Sequence, residues 1–240
     1  MRMFRPVSLQ LTNPEVPDGA NHVAFAYSED GKDRFTTVYP NLNLLTDTKD
    51  FINKNTALKE EKTSISSPDS VILKEGHDTY LNFSKVSQPD WFRAIMAMDS
   101  SFSPNFPDVD LKPNSQYTFS VWLKGKGEHY IIAYDSWTNP VQKTMTINLT
   151  DAWTKYAFTV NTAGTIPTQG TQFFIRSSNA GSEINLKYPK VEQGSIATPW
   201  LPSFSEATAE DYPSYIGTYT DNNSNEQSTD PLRYTWKKIE

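Results

Sequence analysis

Apolar and polar residues alternate with a period of two through much of the chain, the pattern of strands that bury one face. The clearest run is YTFSVWLKG, Tyr117 to Gly125, where Tyr117, Phe119, Val121 and Leu123 alternate with Thr118, Ser120, Trp122 and Lys124. Comparable runs follow in HYIIAYDSW, KTMTINL, DAWTKYAFTV, QFFIRSSN and SEINLKYPKVEQ, and earlier ones are NLNLLTDT, VILKE, TYLNFSKV and WFRAIMAMD. TKDFINKNTALKEEKT contains helix formers but no sustained apolar face, so it reads as loop. The prolines of SSFSPNFPDVDLKPNS make that stretch a crossover loop rather than a central strand. Short strands at this spacing, with no long amphipathic helix between them, predict an antiparallel β-sandwich rather than an α/β fold.

The flanks differ from this middle. Near the N-terminus VAFAY and RFTTV flank SEDGKD, and Asp30-Gly31 suits a turn, so residues 1–40 are expected to form an extended arm with one hairpin. A calcium loop is a poor reading of SEDGKD, because the ligand series of an EF-hand and its closing glutamate are missing. Residues 41–202 form the expected sandwich. Residues 203–240 read as a polar, proline-bounded linker followed by two strands, PSYIGTYT and LRYTWKK, joined by the polar connector DNNSNEQSTDP.

Composition adds limits. Aromatic residues make up 13% of the 240 and apolar residues only 37%, which suits the thin aromatic core between two sheets. Cysteine is absent, so disulfides and thiolate metal sites are excluded and stability must come from packing, strand pairing or a hard cation bound by oxygens. A formal net charge of −6 argues against a nucleic-acid partner. No apolar run approaches membrane-spanning length, and the start, MRMFRPVSLQLTNPEV, lacks the apolar core of a signal peptide. An extracellular role would then imply synthesis in a host cytoplasm and release by lysis.

YTFSVWLKG, DAWTKYAFTV and INLKYPKVEQGSIATPW together resemble the jelly-roll carbohydrate-binding modules found beside glycan-degrading enzymes and in bacteriophage tail proteins, over roughly Asn41 to Pro202. PSYIGTYTD followed by YTW resembles a small unit of tail-fibre and baseplate proteins in phages of Gram-positive bacteria, and AYSEDGKDRFTTVYPNLNLL resembles the segment preceding the sugar-binding module in such proteins. The resemblance implies a jelly roll and a non-catalytic virion protein of the tail tip or baseplate. It further implies cell-wall or surface polysaccharide and other tail proteins as partners, and a role in adsorption. It implies no cofactor beyond a structural calcium, for which no ligand residue can be named. Trp153 and Trp200 fall where the family packs a strand start and closes the module. The other readings are a structural baseplate adaptor without sugar binding, and the ancillary module of a glycan hydrolase.

Sugar recognition uses aromatic rings stacked on pyranose faces and planar polar groups bonding hydroxyls. By strand phase, Trp122 points away from the core, towards either a sugar or a covering loop or arm, and Phe174 and Arg176 are expected to face the same way. Tyr130 and Tyr134 share a face of HYIIAYDSW, Trp137 falls beside the Thr138-Asn139-Pro140 turn, and Trp91 and Arg93 form a further cluster. These eight residues are the candidate ligand-binding set. Arg176 has the commoner alternative of a salt bridge, and each tryptophan that of packing. Catalysis has little support: His22, His77 and His129 lack metal-ligand spacing, no nucleophile elbow occurs, and the carboxylates Asp108 and Asp110 sit in a proline-rich loop.

Overall fold

The computed structural model describes residues 19–53, 65–66, 70–83, 92–97, 109–134, 142–165, 172–223 and 225–239. Two compact units emerge, one drawn from both ends of the chain, up to Pro40 and from Tyr212, the other from residues 41–211. Among the described residues, regular helix is confined to two short turns, Ala209–Asp211 and Pro231–Arg233. None is long and apolar enough to cross a membrane.

The larger unit is the all-β antiparallel sandwich expected from the alternation. One sheet runs β3 (Val71–Glu75), β4 (Asp78–Phe83), β10 (Glu183–Gln193), β6 (Gln116–Tyr134), β8 (Thr154–Asn161). The other runs β2 (Ile65–Ser66), β5 (Phe92–Ala97), β9 (Gln172–Ser177), β6, β7 (Gln142–Leu149). The sequence separates YTFSVWLKG from HYIIAYDSW, whereas the structure joins them in the single 19-residue β6 that serves both sheets. Its first part pairs with β8 and β10 and its second with β7 and β9. The change occurs at Gly125-Lys126-Gly127. Gly125 has φ +153°, and a Cβ there would lie 2.1 Å from the Glu183 carbonyl oxygen, so only glycine lets β10 approach the bend.

Side-chain phase survives that bend. Tyr117, Phe119, Val121, Leu123, Ile131 and Ala133 all enter one core. Phe119 stacks on Phe173 with ring centroids 4.4 Å apart, and Phe173 is the cross-strand partner of Ala133. The two ends of β6 therefore face each other across the core, and their outer surfaces lie on opposite sides of the sandwich.

One segment of the larger unit departs from expectation. NLNLLTDT forms no strand: Asn43 makes one isolated parallel bridge to Ser203, and its side chain bonds the backbone at Leu45, Pro189 and Val191. Satisfying three backbone groups from one buried amide lets this loop cap the core without a ladder. The described part of the expected loop, residues 48–53, is loop and supplies the fully buried Phe51.

In the smaller unit, β1 (His22–Ala26) pairs with β11 (Tyr215–Tyr219), which pairs with β12 (Thr235–Lys238). RFTTV, expected as the hairpin partner of VAFAY, keeps only an antiparallel bridge between Phe25 and Thr36. The two flanks, separate by sequence, thus share one three-stranded sheet. SEDGKD is a turn, with the Gly31 amide donating to the Ser28 carbonyl at 3.0 Å. The Trp236 indole occupies the space that a Cβ would need at Gly31 and at Gly217.

Candidate functional site

The outer surface of the second sheet gathers four of the candidate residues. In β6 Tyr130, Ile132 and Tyr134 alternate with the core residues Ile131 and Ala133, and in β9 Gln172, Phe174 and Arg176 alternate with Phe173 and Ile175. The antiparallel register sets Tyr130 opposite Arg176, Ile132 opposite Phe174 and Tyr134 opposite Gln172. Tyr134 is 41% exposed, and its ring centroid lies 5.9 Å from that of Phe174 at a tilt of 42°. The Tyr130 hydroxyl donates to Glu128 Oε1 at 3.0 Å. Gln172 is only 3% exposed, and its Oε1 has no hydrogen-bond partner. Rings, a guanidinium and an amide thus lie side by side, the kinds of group that stack on a pyranose and bond its hydroxyls; Ile132 and Phe174 are buried like Gln172, and Tyr134 is the exposed ring of the set.

Trp122 does not belong to this group. It lies on the outer surface of the first sheet, so Phe174 and Arg176 do not face its way, because β6 crosses between the sheets after Trp122. Its cross-strand partners are Lys155 on β8 and Lys187 on β10. On the same surface the Lys124 and Lys187 ammonium groups lie 4.8 and 4.5 Å from the Trp153 ring centre. Trp153 Nε1 and Lys124 Nζ both donate to Glu75 Oε2, at 3.2 and 3.0 Å, and these bonds hold the Glu75 carboxyl below its ordinary value. Lys187 and the Tyr188 hydroxyl both donate to Asp78, and Tyr80 meets Trp153 edge-on at 5.6 Å. Trp153 is thereby fastened into a surface ladder of charges and rings.

Part of this outer surface is covered by the chain itself. Lys155 donates to the carbonyls of Ala197 and Thr198 at 3.0 and 3.1 Å. Beneath that segment Lys190 and Glu192 form a fully buried ion pair, 3.2 Å apart. Lys190 also donates to Thr198 Oγ1 and the Pro199 carbonyl, while Glu192 accepts from the Thr198 amide and from Asn41 Nδ2. Burial pushes the Lys190 ammonium down to about 8 and also lowers Lys155, against the opposing pull of Glu192. The segment GSIATPW thus lies against the sheet beside Trp122, which is half-buried. Trp200 packs against Tyr188, ring centroids 4.7 Å apart.

Trp137 and Trp91 lie outside the described residues, and Arg93 lies in β5, whose side chains are not described. The buried Lys190–Glu192 pair and Gln172 were not singled out from sequence. For Gln172 the only local signal is strand phase, which assigns it to an outer surface and says nothing of what covers it; Lys190 and Glu192 share the phase of the core residues Ile184 and Leu186, and the register shift between Lys187 and Lys190 turns them outward. Among the described residues no group of three or more His, Asp or Glu stands together as metal ligands. His129 is buried, with Ser177 Oγ and the Lys126 carbonyl each 3.2 Å from a ring nitrogen, and His22 Nε2 lies 2.9 Å from Asp221.

No protein-family model matches the chain, and no curated protein matches it. Among solved structures, the tripod (BppUct-A-L) from the baseplate of bacteriophage Tuc2009 aligns with 90% of this chain and 77% of its own, at 26% identity and a TM-score of 0.62. The chain resembles a phage baseplate protein. Residues 41–211 are 171 of 240, about 71%, so an alignment over 90% extends into the smaller unit as well. More distant likenesses include TmCBM61 in complex with β-1,4-galactotriose, at 12% identity over 64% of this chain and 100% of the other with a TM-score of 0.41. A CBM4 structure aligns at 14% identity over 59% of this chain and 98% of the other, with a TM-score of 0.37.

Proposed function

We propose that the chain is a non-catalytic module of a phage tail tip or baseplate that binds host cell-wall or surface saccharide and aids adsorption. The observation that carries this reading is the likeness to the Tuc2009 baseplate tripod over 90% of the chain. The saccharide part is supported by the grouping of Tyr130, Tyr134, Phe174 and Arg176 on one outer surface, with Tyr134 exposed. The Tyr134 ring stacks on a pyranose and Arg176 bonds its hydroxyls; Trp137, Trp91 and Arg93 belong to the same proposal. Other tail proteins are its partners on the virion. Each contact is weak, and repetition on one particle makes later contacts intramolecular.

The test is cell decoration with a fluorescent, clustered form of the chain, together with binding to isolated wall polysaccharide. Labelling that falls sharply in Tyr134→Ala and Arg176→Ala is the expected result. Failure of the clustered wild type to label cells or polysaccharide sinks the reading.

A second reading, a structural adaptor without sugar binding, is favoured by one observation: the similar structure is a part of an assembled tripod. Trp137→Ala and Arg176→Ala separate the two. Loss of particle assembly with saccharide binding intact on purified protein favours the adaptor, and loss of adsorption with normal assembly favours the sugar site.

A further inference from the structure

Among the described residues, Gln172 is a side chain on the second sheet's outer surface that packing and strand pairing leave unexplained. It is 3% exposed, its phase in β9 points it away from the core, and its Oε1 is buried without a hydrogen-bond partner. A buried carbonyl oxygen left unpaired forfeits the bonds it made to water, so such an atom in a native protein calls for a reason. An apolar residue of similar volume would serve a purely packing role better at this position. Directly across the ladder stands Tyr134, the exposed ring, and two residues along β9 stands Phe174, which touches that ring. We infer that Gln172 is a specificity-determining residue of the saccharide site, its Oε1 accepting a hydrogen bond from a sugar hydroxyl seated against Tyr134. This rests on the saccharide reading proposed above and names the group that would choose among sugars. The oxygen is closed to solvent, so a ligand reaches it only by displacing a neighbouring side chain. A site built to bond a hydroxyl rejects analogues that lack it far more strongly than an apolar pocket does.

The test uses the full chain, clustered and fluorescent, on an array of purified polysaccharides from Gram-positive cell walls. Gln172→Met keeps the volume and removes the acceptor. The expected result is a loss of binding of about tenfold or more on the polysaccharides that wild type labels, with a thermal midpoint equal to or above that of wild type. Equal binding by Gln172→Met and wild type overturns the assignment and leaves the saccharide reading standing. A lowered midpoint with weakened binding overturns it in favour of a structural role. Absence of wild-type binding to every polysaccharide overturns both. A measurement on wild type alone covers a variant that does not fold: the side-chain amide resonance of Gln172 shifts on saturation with a bound polysaccharide, and an unmoved resonance overturns the assignment.

Discussion

At the scale of single residues, the space around Trp236 and the buried Lys190–Glu192 pair carry the sharpest consequences. Gly31 has φ +73°, and a Cβ there would lie 2.1 Å from the Trp236 ring. Gly31→Ala is therefore expected to cost about 2 kcal/mol, from backbone strain and overpacking together. Faster amide hydrogen exchange in β1 and β11 is the measurement that checks it. Removing one member of a buried ion pair strands the other charge, so Glu192→Gln should cost roughly 3 kcal/mol. The double change Lys190→Met with Glu192→Leu should recover most of that loss in the same denaturant titration. The sign of the pH dependence follows from burial. Lys190 titrates at about 8 in the folded chain against 10.5 for an ordinary lysine, so between these values the unfolded chain binds more protons. This group therefore makes stability rise with pH across that window. Unfolding in denaturant below and within the window should show the rise in wild type and a smaller one in Lys190→Met, because Lys155 is lowered by burial as well.

At the scale of elements, β6 holds the sandwich together, since among the described residues it is the one strand shared by both sheets. Its bend depends on Gly125, where any side chain meets the β10 backbone. Gly125→Ala is expected to destabilise the larger unit by about 3 kcal/mol, through forced separation of β6 from β10 at Glu183. A drop in thermal midpoint together with lost exchange protection at Ile184 is the outcome to look for. β10 answers with its own irregularity: its register against β6 shifts between Lys187 and Lys190, where Tyr188 takes φ +55° and Pro189 needs no ladder bond. The shift keeps both lysines on the outer surface while Leu186 and Val191 stay in the core. Edge strand β3 leaves Val71 and Leu73 exposed, so Leu73→Thr should change stability by less than about 0.5 kcal/mol.

At the scale of the whole molecule, the proposed role depends on number more than on any one site. Clustering the chain on a multivalent carrier should raise apparent affinity for wall polysaccharide ~100-fold or more over the single chain. Surface-bound polysaccharide titrated with single and clustered forms would measure the ratio, and equal affinities would remove avidity from the account.

Strand phase was legible in the sequence because a strand's side-chain period is set by its own backbone. Tyr117, Phe119, Val121 and Leu123 are buried as their alternation requires, and Trp122 points outward. The all-β class and the likeness to baseplate proteins were legible for the same local reason, since strands and turns carry both. Which outward residues share a surface was not, because that depends on where β6 bends and on which distant strand lies beside it. Trp122 and Arg176 have matching phase and lie on opposite sides of the sandwich. Nor does a local pattern say that the two flanks pair, since β1 and β11 meet across most of the chain's length. Burial of charge belongs to the same class: Lys190 and Glu192 read as solvent-facing until the segment ending at Pro199 folds over them. Periodicity settles which side of its own strand a residue occupies until an irregularity such as the shift in β10 resets it; contacts between residues far apart in the chain decide what that side meets.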